Sequence, residues 1–189
     1  MTRPRPRVLD WTTATSLADL GELTARYLSG EADASPTYGG PPNAETAEIL
    51  EPLLALNHAG LVTHWSQPGV PTEGWQQRAS VVGYCTPDLA IRLAESCRTA
   101  GLDTTVIAPS DRPRWRTSFA RRVPVSLRNG EEFTWLGAVE STHALRRDWG
   151  WALAPTGLAA LLDACEFTVH DPEWGRKDLL WDTLTREIH

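Results

Sequence analysis

Nowhere in the 189 residues is there an apolar run near the eighteen or so that a bilayer span needs, so no transmembrane helix is expected. The three cysteines, Cys85, Cys97 and Cys165, contain no C-x-x-C pair and leave one over. That count excludes a disulfide framework and a cysteine-held metal, and fits a reducing compartment in which cysteine acts as a small apolar residue. The five histidines show neither H-x-x-x-H nor H-E-x-x-H spacing, so no metal site is expected. Phosphate loops, dinucleotide fingerprints and nucleophile elbows are missing too, and Gly39-Gly40 is not followed by a helix start that could cradle a phosphate. No motif pairs Cys85 with His64 as nucleophile and base. A net charge of −6 argues against a nucleic-acid backbone as the main partner. Residues 1–10 are basic and Pro-rich without an apolar h-region, so they are expected to be a solvated arm and not a secretory signal. The expected location is the cytoplasm.

What remains is the profile of a folded protein, with 41% apolar and 22% charged residues. The length suits a single domain over residues 11–189. Nine tryptophans against three tyrosines and three phenylalanines are unusual. A large ring with one donor needs a core or a ligand to lie on, and most of the nine are expected in or near the core.

Local signals lay out the elements. Ser16 and Asp19 form a capping box for a helix that Gly30 ends. A long Gly/Pro-rich loop over 31–42 is then mobile or covers a ligand. Asn43 caps a helix running to Gly60, in which Pro52 is expected to force a kink. Strands are expected over 61–65 and 78–85, a helix from Thr86-Pro87 to Ala100, and a strand over 102–108. These last three read as a β-α-β unit. Asn129-Gly130 signals a type I′ hairpin between strands at 123–128 and 131–139, with Pro124 at an edge or bulge. A helix at 156–165, a strand at 167–170 and a helix at 177–188 complete an α/β domain with mixed parallel and antiparallel sheets and about five helices. Arg112, Arg114, Arg116, Arg121 and Arg122 form a basic run, read as a solvated face.

The stretch from Asn43 to Ala79 gathers polar groups at element ends. Glu45 and Thr46 stand in a first helical turn, and Thr63 and Ser66 follow a buried helix. Hydroxyls and a carboxylate on rigid anchors suit a small polar ligand. Taken one at a time, they are equally ordinary first-turn and turn residues.

Ala44-Glu45-Thr46, Leu56-Asn57, Gly60, Thr63 and Ser66-Gln67-Pro68 resemble the A-E-T…L-N-x-x-G-x-x-T-x-x-S-Q-P pattern of one family, ungapped from Glu45 to Ser66. That family is the C-terminal regulatory domain of eukaryotic-type methylenetetrahydrofolate reductase. Tyr27-Leu28-Ser29-Gly30-Glu31, Gln77-Arg78-Ala79, Phe133-Thr134-Trp135 and Leu180-Trp181-Asp182-Thr183-Leu184 are similar to further family segments, in the same order. The resemblance implies the family's fold and a site for S-adenosylmethionine and S-adenosylhomocysteine. Glu45, Thr46, Thr63, Ser66 and Thr134 match its ligand-binding positions. Glu45 would hold the ribose hydroxyls or the ammonium, and the hydroxyl residues the carboxylate, amino group or adenine edges. Trp65 or Trp135 would stack on adenine or face the sulfonium.

Three departures bear on function. The reductase's catalytic barrel and flavin site are absent, so no reductase activity carries over. His64-Trp65 replaces the family's residues before S-Q-P, Trp65 standing for its Asn, and the following insert shrinks to residues 69–75. A further ligand-binding threonine has Thr142 as its candidate. The expectation is a freestanding S-adenosylmethionine-binding sensor, homodimeric as its relatives are and read by a partner enzyme. The alternative is a small methyltransferase with His64 as general base. A third reading is a structural module that has lost the ligand.

Overall fold

The computed structural model describes residues 7–189, and residues 1–6 of the expected arm lie outside the described residues. Of the described residues of that arm, Arg7, Val8 and Asp10 are exposed, and Leu9 packs into the core. Leu9 is buried beside Trp11 and Tyr27, and the Arg7 guanidinium meets Asp33 at 2.9 Å.

Helix α1 (Leu17–Leu28) begins with the capping box, Ser16 accepting from the Asp19 N–H and Asp19 reaching back. The next segment departs from expectation. Ala44–Ile49 winds as a 3-10 turn, and α2 (Leu50–His58) starts only at Leu50. Pro52 therefore falls in the first turn of α2, where a missing N–H leaves no ladder bond broken and no kink is needed. Strands β1 (Val62–Gln67), β2 (Pro71–Thr72), β3 (Trp75–Gln77) and β4 (Ser80–Cys85) follow. Then come α3 (Pro87–Thr99), β5 (Asp103–Ile107), and the hairpin of β6 (Val123–Arg128) and β7 (Glu131–Leu136). Asn129 and Gly130 both hold positive φ, 52° and 83°, as the hairpin signal requires. Pro124 sits where the β6–β7 register slips, the bulge option of its two expected places. The sequence pattern missed α4 (Thr142–Trp149), which Ser141 caps through the Ala144 N–H. Helix α5 (Pro155–Leu162), strand β8 (Cys165–His170) and α6 (Asp178–Ile188) complete the chain.

The strands form two four-stranded sheets, β1-β4-β8-β5 and β2-β3-β6-β7, and every pairing is antiparallel. The domain is α/β, as expected, but the expected parallel pairing does not occur. β4 and β5 run the same way across α3, yet β8 lies between them and opposes both. Burial drives that insertion, since every residue of β8 is buried and the central position is the one covered on both faces. Cys165, Phe167 and Val169 face a core with α2, α3 and α6. On the opposite face, Val62 and Tyr84 join a second core built from α1, α4 and α5. The chain crosses between the sheets at Arg78-Ala79, and the strand expected over 78–85 is β4, which begins two residues later at Ser80.

The three cysteines are buried free thiols, and burial pushes Cys85 and Cys97 up to about 12. Six of the nine tryptophans are buried or half-buried, while Trp115, Trp135 and Trp151 are exposed. Within the basic run Arg112 is no surface residue. It is buried and donates to the Leu162 and Ala164 carbonyls at 2.8 and 2.9 Å, stapling the end of α5 to the start of β8. No helix among the described residues is long and apolar enough to cross a membrane.

Candidate functional site

A cavity of about 510 Å³ opens where α1, loop 31–42, β1 and the second sheet converge. Its volume lies within the usual range for small-molecule sites. Glu45, Thr46, Thr63, Trp65, Ser66 and Thr134 all line it, and so does His64. Residues 89 positions apart in the chain, Glu45 and Thr134, are thus walls of one space. Trp135 is not among the lining residues. It lines a second cavity instead. Thr142 opens α4 and lines neither cavity.

Each wall has a local cause. Asn57, buried at the end of α2, takes the Thr63 N–H at 3.0 Å and donates to Thr63 Oγ1 at 2.8 Å, so the helix end sets the start of β1. Asn57 and Gly60, read from sequence as a helix end, act as that support. The β1–β4 register slips between Thr63 and Trp65, leaving His64 as the extra residue of a β-bulge. A bulge re-aims side chains, and here it turns His64 and Trp65 so that both reach both cavities. Loop 31–42 covers the cavity with Ser35, Thr37, Tyr38 and Pro42, and the Tyr27 hydroxyl anchors it by donating to the Gly40 carbonyl at 2.9 Å. Burial, with Tyr38 alongside, pushes Tyr27 up to about 12, so this hydroxyl stays a donor.

Sequence reasoning missed Tyr27, Tyr38, Gln67, Gln77, Trp75 and Phe133 as lining residues. The glutamines carry the most chemical information. Gln77 Nε2 donates to Glu45 Oε2 at 3.0 Å, and a carboxylate only accepts, which fixes the orientation of that amide. Gln67 Nε2 lies 3.4 Å from Thr134 Oγ1, whose hydroxyl is paired with Ser126 Oγ. Both carbonyl oxygens, Gln67 Oε1 and Gln77 Oε1, are buried without a partner. Buried acceptors without donors are rare in folded proteins and carry a cost. Their signal in the sequence was the Q of S-Q-P and of Q-R-A, which the motif spelled out without assigning a role. Trp75 and Phe133 meet edge to face at 5.2 Å and close the far wall.

The second cavity, about 290 Å³, lies between the first sheet and the end of β7, and shares His64 and Trp65 with the first. Four ionisable groups meet on its floor. Tyr84 donates to Glu140 Oε2 at 3.0 Å, His64 Nε2 is 3.6 Å from Glu140 Oε1, and the Glu140 N–H reaches Glu166 Oε2 at 3.3 Å. Burial pushes Glu140 up, but hydrogen bonds and charge from His64, with the Tyr84 hydroxyl, outweigh it and hold the carboxyl below its usual range. Burial, and then the neighbouring Glu140 charge, push Glu166 up to about 7.

Fold and site together define an α/β domain with a ligand-sized cavity of mixed polar and aromatic lining and a smaller ionisable one beside it. Residues 8–189 match the family described as a domain of unknown function (DUF6919), and the chain belongs to that family.

Proposed function

We propose that this protein binds S-adenosylmethionine and S-adenosylhomocysteine in the larger cavity and acts as a ligand-responsive regulatory domain. The observation that carries the reading is the convergence of Glu45, Thr46, Thr63, Trp65, Ser66 and Thr134 on one space of ligand size. Glu45, Thr46, Thr63, Ser66 and Thr134 were singled out by resemblance to the regulatory domain of eukaryotic-type methylenetetrahydrofolate reductase, and not by position in space, while Trp65 stands where this chain departs from that pattern. In this reading Glu45 takes the ribose hydroxyls or the ammonium, and the partnerless glutamine oxygens suit the N–H edge of adenine. Trp65, Tyr38 and the Trp75–Phe133 pair offer ring faces to adenine and to the sulfonium. Loop 31–42 is the element whose position ligand occupancy would shift, for a partner enzyme or a second copy of the chain to read.

Calorimetric titration with each ligand tests this, with micromolar affinity expected for both. Glu45→Ala should weaken binding by about 1–3 kcal/mol, roughly ten- to a hundredfold. Absence of binding at millimolar ligand would overturn the reading and leave the cavity as inherited scaffold.

A second reading, a methyltransferase, is favoured by one observation: a second cavity adjoins the first at His64 and Trp65. The sulfonium supplies an already activated methyl, so the chain's own residues need only align an acceptor and take its proton. His64 lies on the wall common to both cavities, and in this reading it takes that proton while the methyl passes to the acceptor and S-adenosylhomocysteine is left. Transfer of labelled methyl, lost in His64→Ala with ligand binding retained, would select this reading over the sensor.

A further inference from the structure

We infer that the smaller cavity is a second ligand site that takes a small organic cation, an amine or quaternary ammonium, with Glu140 and Glu166 as its counter-charge and Phe119, Tyr84 and Trp135 as its walls. The inference does not depend on what the larger cavity holds.

Charge is the first reason. Glu166 is only 2% exposed, and the one hydrogen bond it receives among the described residues is the Glu140 N–H. It has no ion-pair partner among the described residues. The nearby cation, Arg112, is 5.9 Å from the Tyr84 ring and is committed to the Leu162 and Ala164 carbonyls. A buried carboxylate without a partner is costly, and the group that would offset the cost is a positive one. An anion would meet two carboxylates, and a neutral molecule would leave Glu166 unpaired.

The walls are the second reason. The Arg122 guanidinium lies 4.6 Å from the Trp135 ring centre and 5.5 Å from that of Phe119. Both rings line the cavity, so the protein already sets one of its own cations against these aromatic surfaces. At about 290 Å³ the space sits at the lower end for ligand sites and suits a small amine better than a nucleoside.

Ionisation gives the site a signature. Every charged or titratable group nearby enters it: Glu140 and Glu166, His64 from β1, Tyr84 from β4, Arg112 and Arg122 from the basic segment, and Asp148 of α4, whose charge acts on Glu140. Glu166, with its carboxyl near 7, changes charge in the neutral range. A bound cation favours its ionised form, so binding below neutrality releases a proton, and affinity rises several-fold from about pH 6 to about pH 8.

The test uses the intact protein and benzylamine as probe, with benzyl alcohol and benzoate as neutral and anionic matches, read by calorimetry in buffers of different ionisation enthalpy. Benzylamine is expected to bind at least roughly tenfold more tightly than either match, with proton release at acid pH. Trp135→Ala and Glu166→Gln should each weaken it by about tenfold. Trp135 is 40% exposed, so its truncation leaves a folded protein and reads the aromatic wall independently of the Glu166 charge. Equal binding of benzoate, indifference to Trp135→Ala, or no benzylamine binding at millimolar concentration would each overturn the inference. None of these results bears on S-adenosylmethionine binding, which is measured separately.

Discussion

Glu166 occupies the middle of the first sheet, on the face away from Phe167, and its environment makes the stability of the whole chain depend on pH. Its carboxyl lies near 7 in the folded state against an ordinary 4.5, so the native protein binds the proton more tightly than the unfolded chain does. Stability therefore falls as pH rises through that window, and the loss is complete above neutrality. Glu140 works in the opposite sense: its depressed carboxyl contributes stability above its ordinary 4.5, and that contribution is lost in acid. Glu166→Gln keeps an acceptor for the Glu140 N–H and removes the charge. It should raise stability near pH 8 by roughly 3 kcal/mol and flatten the profile between about pH 5 and pH 7, as read from urea midpoints. An unchanged profile would mean that Glu166 titrates as an ordinary surface acid. At this scale the sequence was readable for Glu45, Thr46, Thr63 and Ser66, because an ungapped motif carries residue types in order, and for Thr134 through the separate Phe133-Thr134-Trp135 segment. Glu140, Glu166 and Tyr84 were not readable. They come from three separated segments, and no local pattern marks a carboxyl whose ionisation its tertiary surroundings will shift.

Among the elements, β1 decides how the site is presented. Its bulge at His64 is accommodated opposite Gly83, where an added Cβ would stand 2.7 Å from the Val62 carbonyl oxygen and 2.9 Å from Leu61 Cδ1. Gly83→Ala should therefore destabilise the fold by about 1–3 kcal/mol and weaken ligand binding together, since the strand it pushes carries Thr63, Trp65 and Ser66. Helix α1 meets α2 just as closely: a Cβ on Gly21 would stand 2.2 Å from the Asn57 carbonyl oxygen, too close without moving backbone. Gly21→Ala should cost a similar amount and, by shifting Asn57, loosen Thr63. Denaturation midpoints and titration of each variant check both, and a wild-type midpoint in either would show that the backbone yields at little cost. Helix caps and the Asn129-Gly130 turn were legible because their bonds close within four residues. The 3-10 turn before α2 and the short α4 were not, because each is set by what it packs against.

Across the whole molecule, the larger cavity is walled by both sheets, α1 and the covering loop, so a ligand there ties together parts that the chain keeps apart. Ligand at about a hundred times its Kd adds about 2.7 kcal/mol, which for a domain of this size is roughly 5–10 °C in Tm. A thermal scan with S-adenosylmethionine should show one transition moved up by that amount, while an unmoved transition at saturating ligand would count against the proposed function. The sequence by itself determined the α/β class, the single-domain length, the hairpin and several helix caps, and five of the polar residues that line the larger cavity. These follow from local hydrogen bonding, hydrophobic periodicity and an uninterrupted motif. Only the tertiary structure decided that β8 parts β4 from β5, that Trp135 faces away from Thr134's cavity, and that two carboxylates meet beside His64. Sheet order and the charge state of a buried acid depend on which distant surfaces exclude water from which side chains, and that is fixed only when the layers close.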